Sequence, residues 1–84
     1  MAPDLAVEVI SRGNTVEEMN RKLVDYFSTG VREVWYIYPI TRELHQYRTA
    51  DRYDVVREQD EVTSTVLPQL RWQLAELFAE PFPG

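Results

Sequence analysis

Two side chains of opposite charge stand out as candidates for chemistry. Glu8 lies in the β-prone run LAVEVI, and Lys22 lies in the helical-looking run VEEMNRKLVDYFS. A carboxylate set among Leu, Ala, Val and Ile costs free energy to bury unless something compensates it. A carboxylate and an ammonium converging at a strand end can hold a divalent metal and polarise a water or a phosphoryl oxygen. Each residue also has a plainer reading. Glu8 can lie on a solvated face or near a sheet edge. Lys22 follows Glu18 by one helical turn, the spacing of an i,i+4 ion pair, and spacing alone favours that pairing. Asp4 shares the strand with Glu8, but about 13 Å of extended backbone separates them. The two cannot clasp one ion, and Asp4 reads as a strand starter after Pro3.

The remaining reactive types are weaker. His45 is the only histidine and cysteine is absent, so no zinc constellation can be built from these ligands. Ser11 has neither a GxSxG context nor an obvious base, and no GxGxxG or Walker loop occurs. The tyrosines of VWYIYP read as core side chains ahead of a stacking platform for bases.

The elements that must position Glu8 and Lys22 follow from pattern. Residues 5–10 alternate as a strand, with Leu5, Val7 and Val9 on one side and Asp4, Ala6, Glu8 and Ile10 on the other. Both sides are largely apolar, which predicts a strand covered on both faces. SRGNT breaks it. Thr15 and Glu18 have the spacing of a capping box, and a helix is expected from Val16 to Ser28, with Val16, Met19, Leu23, Tyr26 and Phe27 on its apolar stripe. Lys22 sits at the margin of that stripe, where its stem can lie on the sheet. Gly30 is placed to end the helix in a left-handed conformation. EVWYIYP, closed by Pro39, is the best candidate for a central strand, and strand–helix–strand with short links predicts a parallel crossover. RELHQYRT, RYDVVREQ and EVTSTVL read as an antiparallel meander. After the LPQL break, QLAELFAE reads as a short helix presenting Leu74, Leu77 and Phe78, ended by Pro81 and Pro83.

Composition bounds the rest. The 84 residues suit one small domain, in which only about 60% of the unfolded surface can be buried. With no disulfides to staple it, such a chain often leans on a partner subunit. The net charge of −5 argues against binding nucleic acid through bulk electrostatics. It does not exclude a nuclease, whose carboxylates approach phosphate through a metal. Residues 1–12 lack the charged start and apolar core of a signal peptide, and no run reaches the length of a membrane span. A cytoplasmic setting without membrane attachment is the expectation.

Taken in order, PDLAVEVIS, a turn, a helix with K…Y…GV, VWYIYP and LPQLRWQLAELF resemble the Uma-two family of bacterial proteins classed as restriction endonucleases, within the PD-(D/E)xK nuclease superfamily. The likeness spans residues 3–80. It implies a metal-dependent phosphodiesterase core in which Glu8 matches the acidic residue of the (D/E)xK half-motif and serves as metal ligand. Ile10 stands where the motif's lysine is expected. In this family the basic residue has moved to the following helix, and Lys22 matches that position, so the resemblance favours Glu8 as the partner of Lys22. Other departures are Tyr38-Pro39 in place of Asp-Pro and Gln69 in place of a glycine near LPxL. Family members also carry an upstream half with another acidic residue, so the chain resembles the C-terminal half of a restriction-endonuclease-like fold, truncated.

These features together predict one α/β domain over residues 1–84: a mixed β-sheet with one main helix packed on it and a short C-terminal helix. The catalytic residues implied are Glu8 and Lys22, and Glu8 is the metal ligand. A Mg²⁺ site resting on Glu8 alone is expected to be weak. DNA is the implied substrate, with little turnover from this chain by itself. The unpaired edge of the first strand predicts a homo-oligomer. The alternative function is a non-catalytic oligomeric interaction module built on the same fold.

Overall fold

The computed structural model describes residues 3–79. Strand β1 (Leu5–Val9) leads through a turn into helix α1 (Val16–Ser28) and then into β2 (Glu33–Tyr38). The two strands run parallel, with Leu5 opposite Glu33 and Glu8 opposite Tyr36. This is the crossover that the pattern predicts. Each end of α1 is closed by a residue expected to close it, although of the capping box only the Thr15 half forms, with no hydrogen bond from the Thr15 amide to the Glu18 carboxylate. The Thr15 hydroxyl accepts the Glu18 amide at 3.1 Å, a cap worth about 1 kcal/mol. At the other end Gly30 takes φ 105°. The Val31 amide then donates to the Tyr26 carbonyl and the Gly30 amide to the Phe27 carbonyl. These are the paired bonds of a Schellman stop, which needs a residue without Cβ at the turn.

Strands β3 (Glu43–Thr49) and β4 (Arg52–Val56) complete a mixed sheet in the order β1-β2-β3-β4. The β2 strand is central, and its residues from Glu33 to Ile37 are buried. Its alternating side chains divide the core in two. Val34 and Tyr36 pack under α1 with Ala6, Leu23, Val31 and Tyr47. Trp35 and Ile37 face the other way, joining Leu44, Val56, Val62, Leu74 and Phe78 beneath helix α2 (Leu74–Ala79). The apolar positions expected of the terminal helix therefore do close a core, while Pro81 and Pro83 lie outside the described residues.

Two expectations are corrected. EVTSTVL is not a third strand of the meander: only Glu61–Val62 pairs, as β5, with β6 (Trp72–Gln73) in a separate two-stranded ribbon. Beyond Val62 the backbone donors go to side chains. Ser64 Oγ accepts the amides of Val66 and Leu67, and the Thr65 amide donates to Glu33. Side chains that bond the local backbone in this way compete with a ladder. The second correction concerns β1, which is covered on one face only. Val7 and Val9 are 50% and 53% exposed, because the packing beneath α2 reaches the edge strand only at Leu5 and leaves the rest of that face uncovered. No helix among the described residues is long and apolar enough to cross a membrane.

Candidate functional site

Glu8 projects from β1 toward α1, on the same face as the buried Ala6. Leu23, the one fully buried residue of α1, presses the helix onto the sheet. The Tyr36 hydroxyl, reaching from the strand position opposite Glu8, donates to the Met19 carbonyl at 2.7 Å. This bond fixes how far the helix can slide along the sheet. Lys22 and Tyr26, one turn apart, are thereby brought over the carboxylate. Lys22 Nζ lies 3.3 Å from Glu8 Oε2, and the Tyr26 hydroxyl donates to Glu8 Oε1 at 2.7 Å.

The competing pairing is not formed. Lys22 bridges 14 residues to Glu8, and the ion pair along the surface of α1 is Glu17 with Arg21 at 3.4 Å. Glu8 is therefore compensated on both oxygens, which explains how a carboxylate is tolerated in an otherwise apolar strand. Its side chain keeps 25% exposure and that of Lys22 keeps 49%, so solvent can reach both.

Tyr26 was not legible as a site residue, because its position belongs to the apolar stripe. The available signal was its place one turn beyond Lys22, which puts a phenol hydroxyl wherever the ammonium goes. Its hydrogen bond is also the main reason the Glu8 carboxyl lies below the ordinary value of 4.5, with Lys22 adding to the effect against the opposing influence of burial. Reciprocally, the bond to Glu8 raises the Tyr26 phenol above 10.0.

Both shifts carry a sign that can be tested. A carboxylate with a lowered folded value contributes stability that is present above the unfolded value and lost as pH falls through the folded one. The stability advantage of the native chain over Glu8→Gln is therefore expected to shrink as pH drops below about 4.5. In the same variant the Tyr26 phenol is expected to titrate closer to 10.0 than in the native chain, measured by NMR titration of the tyrosine ring. An unmoved Tyr26 would show that the two groups do not share a proton-binding environment.

Other residues singled out by sequence stay apart from this site. The Asp4 carbonyl accepts the amides of Arg32 and Glu33, so Asp4 starts the β1–β2 ladder as expected. His45 lies between the rings of Tyr38 and Tyr53, with centroids at 4.4 and 5.0 Å, and bonds Glu43. Ser11 is engaged with Asn14 in the turn after β1.

The donor set for a metal is sparse. Among the described residues no three Asp, Glu or His side chains come together, and Glu8 is the single carboxylate at the site. Mg²⁺ is commonly held by one or two carboxylates, with water and substrate phosphate completing its octahedron. Glu8 fits one such corner once an oxygen is released by Lys22 or Tyr26.

The family model described as Uma2, "Putative restriction endonuclease", matches residues 1–76. No curated protein matches the chain. Among solved structures, a protein from Anabaena variabilis ATCC 29413, described as a putative nuclease belonging to DUF820, superposes with a TM-score of 0.79 at 20% sequence identity. The superposition covers 94% of this chain and 45% of that one. The chain thus spans less than half the length of its structural relative, and the likeness is one of fold.

Proposed function

The chain belongs to the Uma2 family, and from that premise we propose that it is a metal-dependent nuclease domain acting on phosphodiester bonds in DNA. The observation that carries this reading is the convergence of Lys22 Nζ and Glu8 Oε2 to 3.3 Å from separate elements. Glu8 is the metal ligand, and a divalent cation bound there would polarise a phosphoryl oxygen and lower the pKa of a water. Lys22 places its ammonium where negative charge develops on the phosphoryl group. Tyr26 is a positioning residue: its hydrogen bond holds the carboxylate in one rotamer. With one carboxylate in hand, metal affinity is weak and turnover by this chain alone is small. A cytoplasmic setting belongs to the same reading.

Titration calorimetry with Mg²⁺ and Mn²⁺ tests the site. Binding in the millimolar range is expected for the native chain and is lost in Glu8→Gln, with plasmid nicking following the same order. Equal heats for the two proteins would remove Glu8 from the role of metal ligand.

A second reading, a non-catalytic interaction module, is favoured by one observation. The β1 strand is paired on a single side and exposes Val7 and Val9. Open edges recruit strands, so a homo-oligomer formed through β1 is proposed under either reading. Light scattering should give a multiple of the 9.9 kDa chain mass. A monomer at high micromolar concentration would overturn the association, and the module reading with it.

A further inference from the structure

Two residues beyond Glu8 and one past the end of β1, about 7 Å along the extended chain, Ile10 opens onto a cleft of about 420 Å³ at the end of the sheet. Its walls are Ile10 with Val16 and Met19 of α1, and Tyr38 and Ile40 from the end of β2, with Arg12 at the rim. Ile40 and Val16 are 68% and 71% exposed, so this apolar surface is left uncovered by the fold. Among the described residues Arg12 makes no hydrogen bond or ion pair. Met19 stands one turn before Lys22 and Ile10 two residues past Glu8, so the cleft adjoins the carboxylate–ammonium pair. Two other concavities lie away from this pair: one of about 540 Å³ at the β3–β4 hairpin, lined by Arg52 and by an Arg48 tied to Asp54, and one of about 470 Å³ lined by residues 66–70.

Resting on the nuclease reading, we infer that this cleft seats the nucleoside adjoining the phosphodiester at Glu8 and Lys22, with Arg12 on the next phosphate. The chemistry of the walls supports it. Flat bases stack on aromatic and apolar side chains whatever their sequence, and Tyr38 with Ile10, Met19 and Ile40 provides such a lining. An unpaired guanidinium suits a phosphate. The volume falls in the range of small-molecule sites, roughly 300–1,000 Å³. Continuity identifies the occupant, because the covalent neighbour of a bound phosphodiester is a nucleoside. A base enters such a cleft only when it is unstacked, so the substrate class is single-stranded or frayed DNA.

The experiment is an NMR titration of the labelled full chain in millimolar Mg²⁺, with the dinucleotide thymidylyl-thymidine in one arm and inorganic phosphate in the other. The dinucleotide is expected to move Ile10, Met19 and Ile40 together with Lys22 and Tyr26, while phosphate moves Lys22 and Tyr26 alone. Ile40→Ser, at an exposed position that leaves the core untouched, is expected to weaken the dinucleotide about tenfold and to leave the phosphate response unchanged. If the dinucleotide shifts the same residues as phosphate, or if Ile40→Ser binds it undiminished, the cleft is not a nucleoside site and the nuclease reading stands. If neither ligand moves Lys22 or Tyr26, the nuclease reading fails and takes this inference with it.

Discussion

Replacing Glu33 with alanine is expected to cost about 3 kcal/mol or more, because buried donors would be stranded without partners. Glu33 is fully buried in the central strand. One of its oxygens accepts the Trp35 indole N–H at 2.5 Å. The other accepts the Thr65 amide at 3.3 Å and the Thr65 hydroxyl at 3.0 Å. This side chain is what ties the irregular segment after β5 to the sheet. Alanine would leave the indole and the amide facing a void, and the loop over Trp35 would lose its anchor. In a domain of this size each kcal/mol moves the unfolding midpoint by roughly 4–8 °C, so thermal denaturation should show a drop of more than about 12 °C. Glu33→Gln, with the same shape and one remaining acceptor, should recover part of that loss. A midpoint within a few degrees of native for Glu33→Ala would mean that water satisfies the same donors and that the carboxylate is dispensable.

Leu23→Ala comes second and joins stability to the site. Leu23 is 1% exposed, and its removal is expected to cost about 2–5 kcal/mol through lost burial and a residual cavity. Its neighbour Val24 is 57% exposed, so Val24→Ala should stay within about 0.5 kcal/mol. The two variants distinguish anchoring of the helix from its intrinsic propensity. Because Lys22 and Tyr26 reach Glu8 only while α1 lies flat on the sheet, Leu23→Ala should also return the Tyr26 phenol toward 10.0. A variant that loses stability while Tyr26 remains shifted would show that the three polar groups hold their geometry without this anchor.

How much of this was legible beforehand depended on the range of the interaction involved. Helix α1 was readable at both ends, since Thr15, the apolar stripe and Gly30 act over one or two turns. The β2 strand was readable because β-branched and aromatic residues run together without a break. EVTSTVL carries the same strand-forming residues and failed as a strand. Its donors are claimed by Ser64 Oγ and by Glu33, the latter 32 residues earlier in the chain. Glu33 itself gave no warning, since a glutamate at the start of a strand is ordinarily solvated. The two valines of β1 misled for a related reason. Alternation states that a face is apolar, whereas cover depends on where α2 stops.

Sequence by itself determined the menu: a mixed α/β sheet with one main helix, Glu8 and Lys22 as the charged pair worth watching, and the kinship through the order of its motifs. Local spacing could offer Lys22 either Glu18 or Glu8 and had no means to choose. Tertiary structure made the choice, because the Leu23 contact and the Tyr36–Met19 bond set the helix register against the sheet. That register carries Tyr26 onto the second carboxylate oxygen. A pairing across separate elements exists only after packing has fixed their relative position, and packing is a property of the whole core, not of any short stretch within it.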